Sequence, residues 1–397
     1  MSLPISKFAQ SVGGSTVVGM RRRADVLAAS GVDIIDFGVG EPDFDVPSPI
    51  KEAAISAIRD NRSHYVDPCG LLELRERIAQ HESDQQGQMV DANQIVVSPG
   101  TLGALSLITR AVLNPGDEVL VIEPRWGPYR NLVTLTGATP VGVPMRTQDG
   151  RFIVDVERLA SAMTKRTRAI ILNSPWNPTG RVLSLEELGA VAELAEHHNL
   201  WIISDEVYSK IVFSGAEHIS IASLGASVAK RTVIATSLSK SFAMTGWRLG
   251  YCVAPPELAA VLGRLNHYST RCASSIVQHA AIVALREGAP FIDDMRQEYS
   301  RRRDVIAAGL NAIEGVLCPI PEGAFYAFPQ IPDSWGGSEA LANHLLEESG
   351  LVVTPGSAYG SSSHNHIRLS FAASMPAIQE GLVRLQNALP VQNNQNQ

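Results

Sequence analysis

Residues 184–208 read SLEELGAVAELAEHHNLWIISDEVY. The first half has helical spacing. Ser184 and Glu187 stand three apart, as in a capping box. Leu185, Leu188, Ala192 and Ala195 share one face, and Asn199 can close the end. The second half, from Leu200, is an apolar β-rich run that stops at Asp205. Helix followed by strand is the repeating unit of an α/β fold, and the chain repeats it. DEVLVIEP (117–124), RAIILNSP (168–175), TVIATSLS (232–239) and LGYCVAP (249–255) are further strands, with helical stretches between them. The alternation predicts a mainly parallel sheet sandwiched by helices. In such sheets ligands gather outside the carboxyl ends of the strands.

The last hundred residues are patterned differently. GAFYAFP (323–329), GLVVTPGSAYG (350–360) and HIRLSFA (366–372) read as strands separated by helical stretches. They predict a smaller α+β domain, made of residues 286–397 with the N-terminal segment 1–47, beside a large domain over 48–285. A chain of 397 residues, 45% of them hydrophobic, has core enough for two domains. The terminal VQNNQNQ (391–397) is polar and reads as disordered.

Charge and composition narrow the classes. A formal net charge of −7 argues against a nucleic-acid partner, and the arginines of MRRRAD (20–25) read as a solvated helix face. No apolar run approaches the roughly 18 residues of a membrane span. The opening MSLPISKFAQSVGG lacks the layout of a signal peptide. The four cysteines are widely spaced with no C-x-x-C, which suits reduced thiols in the cytoplasm and no metal site.

The chemistry concentrates at strand ends. Lys240 follows TVIATSLS, where its ammonium group would be partly desolvated and so become a nucleophile towards carbonyls. Ser237, Ser239 and Arg248 around it offer hydroxyls and a guanidinium fork suited to phosphate. A Schiff-base lysine beside a phosphate site is what pyridoxal 5'-phosphate requires. The same Ser237–Lys240 stretch matches the S-x-x-K of penicillin-binding serine hydrolases, but the S-D-N and K-T-G partners are missing. Asp205 either caps a turn or pairs with a pyridinium nitrogen. NSPWNPTG (173–180) is a tight loop that brings Asn177 near Asp205 if adjacent strands end together. Gly100-Thr101-Leu102 opens a helix whose N–H groups suit an anion. Trp126, in EPRWGPYR (123–130), is either core or a plate for a flat ring. GVGEPDF (38–44) begins like a dinucleotide fingerprint but lacks its third glycine.

In order and spacing together, these stretches resemble the fold-type I pyridoxal-phosphate aminotransferases of the class I/II group, from about Gly38 to Ala372. The resemblance implies a transfer of an amino group from an L-amino acid to a 2-oxo acid by a ping-pong mechanism. It implies that Lys240 holds the cofactor and moves the substrate proton, that Asp205 faces the pyridine nitrogen, and that Tyr208 and Asn177 bond the phenolic oxygen. Ser237, Ser239, Arg248 and the Gly100-Thr101-Leu102 turn become phosphate ligands, and Trp126 the stacking plate. Arg368 and Gly40 take the substrate α-carboxylate, with Trp126 and Asn177 beside it. Tyr65 reaches the neighbouring subunit's phosphate, which makes the enzyme a homodimer with shared active sites. Thr101 offers no charge to a distal carboxylate, so the expected donor range is broader than dicarboxylates. Another outcome of the same cofactor, such as a β-lyase or an oxidase, and a non-catalytic binding module are the alternatives.

Overall fold

Seven strands build the central sheet: β1 (Ile95–Ser98), β2 (Glu118–Glu123), β3 (Thr139–Pro144), β4 (Thr167–Asn173), β5 (Trp201–Asp205), β6 (Thr232–Ser237) and β7 (Gly250–Val253). Their order is β1-β7-β6-β5-β4-β2-β3. Only β7 runs antiparallel to its neighbours. The computed structural model describes Leu3 and residues 5–389, so the polar tail expected over 391–397 lies outside the described residues.

Apolar cover on both faces explains why the middle strands read as unbroken hydrophobic runs. Along β2, Val119 and Val121 enter one apolar cluster, while Leu120 and Ile122 enter another on the opposite face. Two strands, β1 and β3, are not among those expected from the sequence. Both lie at sheet edges. The Pro140 and Pro144 of β3 are tolerated there because one side of an edge strand has no partner to lose.

The helix of the opening stretch spans Leu185–His197 (α2), with the Ser184–Glu187 capping box formed. Asn199, at φ 52°, takes the left-handed turn that ends it. One detail differs from expectation. Leu185 is exposed, because it occupies the first helical position and the core stripe begins a turn later; Val191 takes the buried place between Leu188 and Ala192.

The chain's two ends meet. Ile35 and Asp36 pair in parallel with Leu351 and Val352. Met20, Ala24 and Phe37 share one apolar cluster with Tyr299, Leu345, Phe371 and Leu385. A three-stranded sheet of Tyr326–Ala327, Ile367–Ser370 and Thr354–Pro355 lies in the same region. The arginines of MRRRAD lie on an exposed helix face, as expected, and two of them make surface ion pairs: Arg21 with Asp25 and Asp36, and Arg23 with Glu347.

Three strands end in register beside the site. Asn173 lies opposite Asp205, and Asp205 opposite Ala235. Ser237, two residues on, lies opposite Gly250. Gly250 is dictated by packing, since a Cβ there would come within 2.6 Å of the Gly100 backbone and of the Thr236 carbonyl. The helix Gly100–Val112 (α1) thereby starts directly against β7.

Candidate active site

A cavity of about 850 Å³ opens at these strand ends. Twelve of the fourteen residues expected at the site line it: Gly40, Thr101, Leu102, Trp126, Asn177, Asp205, Tyr208, Ser237, Ser239, Lys240, Arg248 and Arg368. Gly100 lies just behind, at the start of α1. Tyr65 does not reach the cavity; it is 79% exposed, with the Arg271 guanidinium 5.2 Å above its ring.

Lys240 sits one helical turn past the end of β6, on the short helix Leu238–Ser241 that Ser237 caps. Its ammonium group donates to the Gly40 carbonyl and lies 5.8 Å from the Phe325 ring centre. Burial brings its pKa down to about 8; Arg368 and Arg248 push the same way, against Glu41 and Asp205. The amine is therefore half without its proton near pH 8, where an ordinary lysine is almost fully charged.

Asp205 is buried at the end of β5. Its Oδ2 accepts from the Tyr129 hydroxyl at 2.7 Å, and its Oδ1 from the Val207 N–H at 3.2 Å. Burial raises its pKa to about 6, moderated by those two donors. Asn177 is joined to it indirectly: Asn177 N–H donates to Asn173 Oδ1 at 2.8 Å, and Asn173 Nδ2 donates to the Asp205 carbonyl at 2.9 Å. The hydroxyls of Tyr208 and Tyr326 meet at 2.7 Å.

Arg368 is buried yet forms no ion pair among the described residues. It donates to Asn177 Oδ1 at 3.1 Å, to the Gly38 carbonyl and, more weakly, to Thr354; its Nε has no partner. The rings of Tyr326 and Tyr359 flank it, at 4.4 and 5.3 Å. A buried, unmatched guanidinium is a receptor for an anion.

The start of α1 forms a second anion cradle. Gly100 has φ 78°, where a larger residue is strained, and a Cβ on it would lie 2.5 Å from the Arg248 guanidinium, which would have to move aside. The Thr101 hydroxyl is buried without a partner. Ser237 and Ser239 line the same side. Among the described residues no group of side chains could hold a metal ion, and no helix is long and apolar enough to cross a membrane.

This geometry of amine, carboxylate and two anion receptors agrees with a family comparison. The model for aminotransferase class I and II matches residues 32–385. The chain belongs to the class I and II aminotransferases. The arginine–pyruvate transaminase of Pseudomonas aeruginosa is 40% identical, covering 96% of each chain. The aspartate/prephenate aminotransferase of Cereibacter sphaeroides is 38% identical, over 94% of this chain and 95% of that one. A solved aspartate aminotransferase of Thermus thermophilus, with maleate, superposes with a TM-score of 0.92 at 35% identity, covering 98% of this chain and 100% of that one. This aminotransferase is thus an enzyme that moves an amino group between an amino acid and a 2-oxo acid.

Sequence reading missed several residues of the aminotransferase cavity. Tyr129 lies three positions after Trp126, in the first turn of the helix Pro128–Thr134, and its ring meets the Trp126 ring edge-on at 5.4 Å; an aromatic so close in sequence could have flagged it. Tyr326 and Tyr359 lie in strand-like stretches that read only as core. The segment from Gly13 to Val18 lines the outer cavity and carried no local signal.

Proposed function

We propose that the chain transfers amino groups with pyridoxal 5'-phosphate in a ping-pong sequence, as a cytoplasmic homodimer whose sites are shared. The observation that carries the reading is the convergence on one cavity of a buried amine, a buried carboxylate and an unpaired buried guanidinium, those of Lys240, Asp205 and Arg368. When bound, the cofactor supplies an aldehyde, a phosphate anchor and a protonated ring that takes up electrons.

The residues present fit that group. Arg248, Ser237, Ser239 and the N–H groups at Gly100-Thr101-Leu102 would hold the phosphate; the space a Gly100 side chain would fill supports this. Asp205 would keep the ring nitrogen protonated. Tyr208 and Asn177 would bond the phenolic oxygen, with Trp126 across the ring face. Arg368 and Gly40 orient the amino acid by its α-carboxylate. Lys240, the only lysine among the described residues that line the cavity, takes the proton from the substrate Cα and returns it. Residues 48–285 serve in this reading as the cofactor domain, and 1–47 with 286–397 as the smaller one. The four free cysteines support a reducing compartment.

The direct test is a screen of amino donors against pyruvate and 2-oxoglutarate, with products identified and the cofactor spectrum followed. Keto-acid production matched by amination of the acceptor is expected. Elimination products or oxygen consumption without an aminated acceptor would replace this reading with a lyase or oxidase.

Two further outcomes are expected. Uptake of pyridoxal phosphate by the apoprotein needs neutral Lys240. The folded amine loses its proton near pH 8, so the uptake rate should rise about tenfold per pH unit below 8 and level off above it. Stopped-flow absorbance measures this; a rate that falls with pH through that window would assign the amine wrongly.

The shared site is tested by mixing. Lys240→Ala dimers should be dead and Tyr65→Ala dimers impaired in holding cofactor. Mixed dimers would have one site carrying both lesions and one combining intact Lys240 with the partner's intact Tyr65. Co-refolding should therefore restore a functional site. Activity no higher than that of the Tyr65→Ala chains, with mixed dimers demonstrated, rules out sharing through Tyr65.

A further inference from the structure

Three arginines are almost wholly buried: Arg125, Arg302 and Arg368. Buried guanidinium groups are normally matched by carboxylates, since an uncompensated charge is poorly solvated in the interior. Arg302 obeys, with Asp43 oxygens at 2.7 and 2.8 Å and a Glu298 oxygen at 2.9 Å. Arg368 does not, and the proposed function gives it a substrate carboxylate. Arg125 is the remaining case.

The one carboxylate near Arg125 is that of Glu123, 3.5 Å from its Nε. That carboxylate is shared with the N–H and hydroxyl of Ser361, at 3.2 and 3.5 Å. Neither terminal nitrogen of Arg125 donates to any described residue. Arg125 is one of the residues that line the cavity, together with Lys240 and Arg368. Burial lowers the Arg125 pKa, Glu123 opposes the shift, and nearby Arg130, another residue of the cavity wall, adds positive charge. The backbone is fixed: Arg125 N–H donates to the Tyr359 carbonyl at 2.7 Å, and the Tyr359 ring lies 5.3 Å from Arg368. Two under-matched arginines therefore adjoin one tyrosine, Arg368 through its guanidinium and Arg125 through its backbone, and both line one cavity.

We propose that Arg125 receives the distal carboxylate of a dicarboxylic amino acid or 2-oxo acid whose α-carboxylate rests on Arg368. The proposal builds on the amino-group transfer proposed above. A carboxylate completes the guanidinium edge that Glu123 leaves open, by charge-assisted hydrogen bonds. Arg125 supplies the charge that Thr101 lacks. The apolar wall of Leu102 and Trp126 still admits neutral side chains, while Arg125 and Arg130 together repel basic ones. Dicarboxylates are thus one part of the substrate range, and Arg125 is what admits them.

The competing role is structural, with Arg125 merely clamping Glu123 to the Ser361 loop. The holoenzyme, Arg125→Gln and Arg125→Lys separate the two. Each is assayed with 2-oxoglutarate and with pyruvate as acceptor to a common donor. Equilibrium binding of succinate, which has no carbonyl to aminate, is followed by the cofactor absorbance. Arg125→Gln should lower kcat/KM for 2-oxoglutarate about 10- to 100-fold, mainly through KM, as expected for loss of charged hydrogen bonds. Pyruvate should change by less than about threefold, succinate affinity should fall in parallel, and Arg125→Lys should recover part of the loss. Equal losses on both acceptors, or unchanged use of 2-oxoglutarate, overturn the proposal. A wild-type enzyme that aminates pyruvate but not 2-oxoglutarate overturns it while leaving amino-group transfer standing. Transfer to no acceptor removes both.

Discussion

A Lys240→Ala enzyme transfers no amino group above background, a loss of at least about 10⁴-fold, because a positioned acid–base group and the covalent anchor vanish together. Lys240 is partly buried, and burial outweighs the nearby carboxylates of Glu41 and Asp205. Here the side chain donates only to the Gly40 carbonyl, and its pKa stands near 8. In the proposed function, that environment suits it to act as a nucleophile before cofactor uptake and as a proton carrier afterwards. Truncation to alanine removes a flexible side chain that faces a cavity, so folding and cofactor pocket should survive. Borohydride reduction of the wild-type holoenzyme, followed by peptide mapping, should place the pyridoxyl label on Lys240. Label on a different lysine would end the assignment.

Asp205→Ala should reduce turnover on the order of 10³-fold with cofactor still bound, the scale seen when a preorganised electrostatic partner is deleted. The carboxylate is ionised above about pH 6 and held at a fixed place by the Tyr129 hydroxyl and the Val207 N–H. Placed against the pyridine nitrogen, it would keep that nitrogen protonated and the ring ready to accept charge from the substrate carbon. Phosphate anchoring through Arg248 and α1 is independent of it, so binding and turnover should separate. Near-normal kcat in a cofactor-saturated variant contradicts the role.

Much of the α/β sheet was legible because covered parallel strands must be apolar through their middles, as AIIL of β4, WII of β5 and VIA of β6 are. The edge strands were not. β1 has four residues and β3 carries two prolines and a glycine, and neither length nor composition separates such segments from loops. Strand-end chemistry was legible for a related reason: Asp205, Lys240 and Asn177 are polar residues just beyond apolar runs. The links among them were not. That Asn173 bridges Asp205 and Asn177 depends on the register of β4 against β5, which no local pattern encodes. Arg125 escaped notice because its meaning lies in what it lacks. One arginine in EPRWGPYR looks like any surface charge until its burial and its single long contact with Glu123 are known.

The pairing of Ile35–Asp36 with Leu351–Val352 also sets a schedule for biosynthesis. These strands are separated by roughly 300 residues of translation, which at about 5–20 residues per second takes a quarter of a minute to a minute. During that interval the seven-stranded sheet, complete at Val253, can already fold on the ribosome with Lys240 and Asp205 in place. Gly40 has emerged early but has no strand to lean on, and Arg368 has not yet been made. In the proposed function, the residues that would hold the cofactor are thus made well before Arg368, which would hold the substrate carboxylate. Pairing of Ile35–Asp36 with Leu351–Val352, possible only once the latter are made, would then complete the proposed substrate side of the cavity.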